Sequence, residues 1–212
     1  MNIANEVGTS DESNTKFRNT YSSAIDQIRN AGITVPLVID ASNFGQNYEQ
    51  IFDTWNALKN SDEGFQNVMF SLHTYWGGSE SEKRDIYDYI IGRVVNENIP
   101  LHFGEGPTSL DGLCNNNNPW QYGLQRMHEN EIGWLAWSWG AANNTNCEAE
   151  QMERAQQLGI EFANEFNITV PNLDNPQNGG KFGEWNTFYG FEVIVGSQYG
   201  IQQTAVRPAG LE

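Results

Sequence analysis

The sequence predicts an α/β fold built on a parallel sheet, a barrel or part of one, and three observations carry that expectation. Short apolar runs end near residues 6, 40, 73, 105 and 137, a repeat of roughly 33 residues, about the length of one βα unit. Those runs are almost continuously hydrophobic, as strands buried on both faces must be. Stretches of helical periodicity fill the intervals. Five such units in a row favour a barrel over a sandwich or a helical bundle. At 212 residues the chain falls short of the roughly 250 that a complete (β/α)8 TIM barrel takes. A partial barrel of about five βα units, half-barrel-like, is therefore expected over residues 1–167, followed by a linker and a short β-rich tail over 168–212.

Residues 2–5 read as the end of a first strand. A helix follows over 14–31, with Phe17, Tyr21, Ala24, Ile25 and Ile28 at helical spacing and Gly32 placed to end it. Residues 35–41 form the next apolar strand, and 48–59 a helix carrying Ile51, Phe52, Trp55 and Leu58. The third strand spans 67–75. Its helix spans 80–97, with Ile86, Tyr89, Ile90 and Val94 expected on one face. Residues 99–105 are the fourth strand, followed by a polar loop through the Asn run at 115–118. Pro119 then opens a helix to about residue 131, since proline suits the first helical turn. A fifth strand over 132–139 and a closing helix over 147–166 complete the pattern. Residues 169–180, rich in Pro, Asn and Gly, resemble a linker. Aromatics, Val and Gly alternate over 182–207, which suggests one or two further strands.

Composition narrows the partners. A formal charge of −16 excludes nucleic acid, which is bound through clustered Lys and Arg. Charged residues make up only 18% and aromatics 12%, with seven Trp, a surface suited to stacking on neutral polar ligands such as sugars. No stretch approaches the roughly 20 apolar residues that span a bilayer, so no membrane partner is expected. The chain opens inside a strand, with no signal peptide ahead of it. Strands before Glu6, and any export signal, are therefore expected upstream, and a secreted or extracellular origin fits the acidity. Cys114 and Cys147 each lie in an Asn-rich loop. One disulfide between them and two free thiols are both open readings, and the lack of a compact Cys/His cluster argues against zinc.

In a βα barrel the C-terminal strand ends converge on one mouth, where chemistry occurs. The residues at those ends here are Asn5, Glu6, Asp40, His73, Tyr75, Glu105, Trp137 and Trp139. Two carboxyl groups in such a mouth suit glycoside cleavage, one protonating the leaving oxygen and the other attacking the anomeric carbon. Indole faces offer apolar platforms for sugar rings. Other polar and aromatic positions carry structural alternatives. Asp40 could cap the following turn. Trp55 and Trp134 suit packing between sheet and helices, and Trp76 and Trp120 suit either distal subsites or loop anchoring. His102 is expected in the barrel interior and His128 at the surface.

Read together, several segments resemble glycoside hydrolase family 5, in the C-terminal half of its βα barrel. Asn2-Ile3-Ala4-Asn5-Glu6 is similar to the strand bearing the family's Asn-Glu pair. The stretch from Ala31-Gly32-Ile33 to Pro36-Leu37-Val38-Ile39-Asp40-Ala41 resembles the next unit, as found in bacterial β-mannanases. Residues 67–75, ending His73-Thr74-Tyr75, resemble the His-x-Tyr strand, 100–105 the nucleophile strand, and Gly133-Trp134-Leu135-Ala136-Trp137-Ser138-Trp139 the last strand. The match covers roughly residues 1 to 165, in order.

The resemblance implies that Glu6 is the acid/base and Glu105 the nucleophile of a retaining hydrolase acting on β-1,4-linked mannan, cellulose or another β-glucan. It further implies that Asn5 contacts the sugar 2-hydroxyl, that His73 and Tyr75 flank the nucleophile, and that Trp137, with Trp139 less directly, floors a subsite. No cofactor and no metal are expected, since two carboxylates suffice. Gly106-Pro107 stands where an aromatic is usual after the nucleophile, and Val7 where Trp or Pro is usual, so subsite shape differs. Three further readings stay open: a sugar-binding half-barrel without turnover, another βα-barrel hydrolase on the same geometry, and a homodimer in which a second copy closes the barrel edge.

Overall fold

A computed structural model describes residues 1–59, 67–106, 118–136 and 197–205. Within them the order is helix α1 (Asn14–Asn30), strand β1 (Leu37–Asp40), a short turn α2 (Ser42–Gly45), α3 (Tyr48–Leu58), β2 (Val68–His73), α4 (Glu80–Glu97), β3 (Leu101–Glu105), α5 (Trp120–Glu129) and α6 (Ile201–Thr204). The three strands form one parallel sheet in the order β1-β2-β3.

Two further segments extend this sheet. Asn2 bridges Val38 in parallel, where Ile3 N–H donates to the Val38 carbonyl at 3.0 Å. On the other side Trp134 bridges Phe103, and Leu135 N–H donates to the Phe103 carbonyl at 2.8 Å. Spatial order thus follows sequence order across five parallel segments, as in a barrel wall. Strand residues 137–139, both cysteines, the expected closing helix, and the tail apart from 197–205 lie outside the described residues.

Helix ends follow their caps. Ser13 accepts from Lys16 N–H at 3.2 Å to start α1. After Ala31, Gly32 turns the chain at φ +81°, a conformation that costs glycine nothing. Ser79 and Glu82 form a reciprocal capping box at α4. Phe17, Tyr21 and Ile25 of α1, Ile51 and Phe52 of α3, and Tyr87, Ile90 and Ile91 of α4 pack on Leu37, Ile39, Phe70, Leu72 and Phe103 of the sheet. Those strand residues alternate, as one face of a pleated strand does.

The buried face of α4 is Lys83, Tyr87, Ile90, Ile91 and Val94; Ile90 and Val94 of the expected stripe lie in it, Ile86 packs at its margin, and Tyr89 does not. Tyr89 is 44% exposed. The rotation has a cause: Gly123 of α5 leaves room for the Tyr87 ring, a Cβ there falling 2.7 Å from Tyr87 Cζ. Tyr87 then donates to Asn118 Oδ1 at 3.3 Å. Asn118 is accordingly buried, not part of a solvated run, and its carboxamide also donates to the Thr74 carbonyl at 3.0 Å. In the tail, the described residues 197–205 form a turn and the single-turn α6; the rest of 182–207, where one or two strands were expected, lies outside the described residues. Thr204 Oγ1 donates back to the Gly200 carbonyl at 2.9 Å, a local bond that competes with extended structure.

One irregularity in the sheet positions the site. Leu72 pairs with Phe103, but the next residue, His73, pairs with Glu105. Gly104 is therefore an extra residue in β3, a β-bulge. Without it Glu105 would share the face of Leu101 and Phe103, against the helices. With it Glu105 turns to the face of Asp40, Ser71 and His73. Glycine is needed at the bulge because a Cβ there would collide with Ser71 Oγ.

Candidate active site

Glu6, Asp40, His73, Tyr75 and Glu105 meet at the C-terminal ends of the parallel strands. His73 lies in the centre, 1% exposed. Its Nδ1 is 2.9 Å from Glu6 Oε1 and 3.6 Å from Glu105 Oε2, and its Nε2 is 3.5 Å from Asp40 Oδ2. The Tyr75 hydroxyl donates to Glu105 Oε2 at 3.0 Å. Gly45, at φ +75°, packs so tightly on the His73 ring that no Cβ fits between them. The imidazole is thus wedged between three carboxylates and a backbone turn.

Burial pushes the Glu105 carboxyl above the usual carboxylate range. The neighbouring His73 and the Tyr75 hydrogen bond pull it back, while the negative charges of Glu6 and Asp40 push it further up. Glu6 approaches from a different direction. It sits at φ +54°, a left-handed conformation unusual for a residue with a side chain, and its N–H donates to Asp40 Oδ2 at 3.1 Å. Oxygen and nitrogen atoms of Glu6, His73 and Glu105 all fall within 4.8 Å of one another. Two carboxylates and an imidazole so placed could also ligate a divalent cation, although the chemistry proposed below routes no step through one. The arrangement brings one half-buried and one buried carboxyl group to either side of the imidazole.

Of the site residues expected from sequence, Glu6, His73, Tyr75 and Glu105 come together. Asn5 is adjacent in the chain and exposed. Trp137 and Trp139 lie outside the described residues. Trp76 is buried against Tyr87 and Phe103, and its Nε1–H donates to the Gln46 carbonyl at 3.1 Å, which makes it a loop anchor. His102 lies on the inner face of the sheet, and burial pushes its imidazole below the ordinary value. Two features had no clear signal in the sequence. Asp40 is fully buried and contacts both Glu6 and His73. Phe44 is 63% exposed on a turn in which Asn43, Phe44 and Gly45 all have positive φ.

The family model for cellulase, glycosyl hydrolase family 5, matches residues 1–143. The chain belongs to glycosyl hydrolase family 5. It is 35% identical over 143 residues to a mannan endo-1,4-beta-mannosidase of Salipaludibacillus agaradhaerens, covering 66% of this chain and 43% of that one. It is 31% identical over 150 residues to a mannan endo-1,4-beta-mannosidase of Cellvibrio japonicus, covering 70% of this chain and 33% of the relative. The chain therefore spans less than half the length of these family 5 relatives. A mannotriose complex of Thermomonospora fusca beta-mannanase superposes with a TM-score of 0.61 at 23% identity, over 97% of this chain and 57% of that structure. That likeness establishes the fold: a partial α/β barrel of the TIM type.

Proposed function

We propose that this family 5 chain carries the two catalytic carboxylates of a retaining glycoside hydrolase acting on β-1,4-linked polysaccharide, with mannan as the preferred substrate. The observation that carries the reading is the pairing of Glu6 with Glu105 across His73, with atoms of all three within 4.8 Å of one another. Retention asks for carboxyl groups about 5–5.5 Å apart, whereas inversion leaves about 6.5–9.5 Å for a water. Mannan is favoured because the relatives at 35% and 31% identity bear the name mannan endo-1,4-beta-mannosidase.

In this reading Glu6 donates its proton to the glycosidic oxygen as the bond to the anomeric carbon breaks. Glu105 attacks that carbon and forms a glycosyl ester. A water then gives its proton to Glu6 while its oxygen displaces Glu105, which restores both groups and releases a sugar of unchanged anomeric configuration. The Tyr75 hydroxyl holds the attacking carboxylate in orientation, and His73 separates the two acids. Asn5, Trp137 and Trp139 complete the sugar contacts. The acidic, aromatic-rich composition fits work on an extracellular polymer.

The test is release of reducing ends from mannan, carboxymethylcellulose and xylan by the chain and by Glu105→Gln and Glu6→Gln. Mannan is expected to respond most, and Glu105→Gln to lower the rate by about 10³-fold or more. Activity indifferent to both substitutions would overturn the assignment. Sugar affinity without any reducing-end release would identify a binding half-barrel instead.

A further inference from the structure

Asp40 presents a fully buried carboxylate with both oxygens engaged. Its Oδ1 accepts from Asn2 Nδ2 at 3.3 Å, and its Oδ2 accepts from Glu6 N–H at 3.1 Å. The same Oδ2 faces His73 Nε2 at 3.5 Å, and the opposite ring nitrogen of His73 lies 2.9 Å from Glu6 Oε1. The main-chain carbonyl of Asp40 accepts from the Tyr21 hydroxyl at 3.3 Å, which ties the residue to α1. Glu6 is thus gripped twice by one side chain, directly at its backbone and through the imidazole at its carboxylate.

That grip matters because, among the described residues, few other hydrogen bonds fix residues 4–6. The ladder to β1 consists of the Asn2–Val38 bridge, with Val38 N–H donating to Met1 O at 2.8 Å and Ile3 N–H to Val38 O at 3.0 Å. Beyond it Ala4 N–H reaches only the Asn2 side chain, at 3.3 Å. A left-handed glutamate is strained and persists only where its surroundings impose it. A hydrogen bond to a desolvated carboxylate is strong enough to do so.

We infer that Asp40 is a positioning residue: its buried carboxylate sets the left-handed turn at Glu6 and so aims the Glu6 carboxylate at Glu105. The role of Glu6 as acid/base rests on the reading above, but its placement by Asp40 does not. Two measurements on the whole chain separate them. The first is amide exchange by 15N–1H spectroscopy. In Asp40→Ala the Glu6 amide loses protection while Ile39, Phe70 and Phe103 keep theirs. Asp40→Asn, which retains an acceptor without the charge, gives about tenfold faster exchange at Glu6 and decides the matter alone if the alanine variant does not fold.

The second measurement compares mannan with an aryl glycoside whose phenolate leaves without protonation. Compared as kcat/KM, which reports the first step alone, a misaimed acid lowers the value on mannan by roughly 10²-fold or more and affects the activated substrate much less, since only the former needs a protonated leaving oxygen. A Glu6 amide as protected in both variants as in the native chain would overturn the proposal, as would an equal loss on both substrates. A native chain that hydrolyses neither substrate would refute the hydrolase reading, and the amide measurement would still decide the role of Asp40.

Discussion

Glu105 is buried beside two other carboxyl groups, Glu6 and Asp40. Its folded form holds a proton more tightly than a free carboxyl does, first because burial penalises the anion. A nucleophile must be ionised, so the acid limb of kcat/KM is expected above the ordinary carboxylate range. Tyr75→Phe removes a contact that favours the anion. It should move that limb further up and lower kcat by roughly 10–100-fold, the worth of a hydrogen bond to a charged group; a pH–rate profile checks both. Stability follows the opposite sign. The contribution of protonated Glu105 is fully present below its unfolded value and is lost as pH rises through the higher folded one. Glu105→Gln should therefore raise Tm at neutral pH, with the gain fading toward pH 4, as calorimetry at several pH values would show. That Glu6, His73, Tyr75 and Glu105 come together was legible because each lies at the end of an apolar run. Asp40 also ends such a run, yet its duty is invisible in sequence. Whether it caps a turn or grips Glu6 depends on which strand lies beside it.

At the level of elements, α3 and α4 match their expected bounds to within a residue, because caps and breakers at their ends are local signals. Strands are shorter than their apolar runs. β1 covers Leu37–Asp40 within an expected 35–41, since ladder pairing stops where the neighbouring strand does. The buried face of α4 was partly misplaced because Ile86, Tyr89, Tyr87 and Ile91 are all apolar enough for either stripe, and the deciding partner, Gly123, is 36 residues beyond Tyr87. The α2 turn was not anticipated, as consecutive positive φ at Asn43 and Phe44 has no simple compositional mark. That turn nevertheless supports the site through Gly45. Gly45→Ala would add a Cβ against the His73 ring at a positive φ. It should cost about 1–3 kcal/mol of stability and most of the activity, whereas Gly32→Ala, with open space around it, should cost only stability. Thermal melts and initial rates on the pair would separate the effects.

For the molecule as a whole, the outer segments of the sheet are the issue. Val38, Met69 and His102 on the inner face are half-buried, Leu135 is 58% exposed, and the buried His102 Nδ1 has no hydrogen-bond partner among the described residues. Among the described residues this apolar face is partly uncovered, and an uncovered apolar sheet face favours association. A second copy of the chain is expected to cover this face, opposed by a charge of −16 on each. Association should therefore strengthen with salt, which screens repulsion between surfaces over about 10 Å at 0.1 M. Met69→Glu should weaken it. Sedimentation showing one compact monomer at all salt concentrations would contradict the expectation. Barrel class and strand order were readable from the repeat alone, because each βα unit declares itself locally. Closure depends on contacts between distant units, which no local pattern encodes.

The bulge at Gly104 carries a consequence for how this strand can change. Side chains along a strand take alternate faces, so whether Gly104 is bulged or paired decides which face Glu105 takes. Removing Gly104 would give β3 a regular ladder with β2, and the protein could gain stability by it. The same deletion would place Glu105 next after Phe103, opposite His73 and on the face it already occupies. What the site cannot survive is a regular pairing that keeps every residue: with Gly104 opposite His73, Glu105 would fall on the face of Leu101 and Phe103, and a well-folded chain would still contain the carboxylate while its mouth would not.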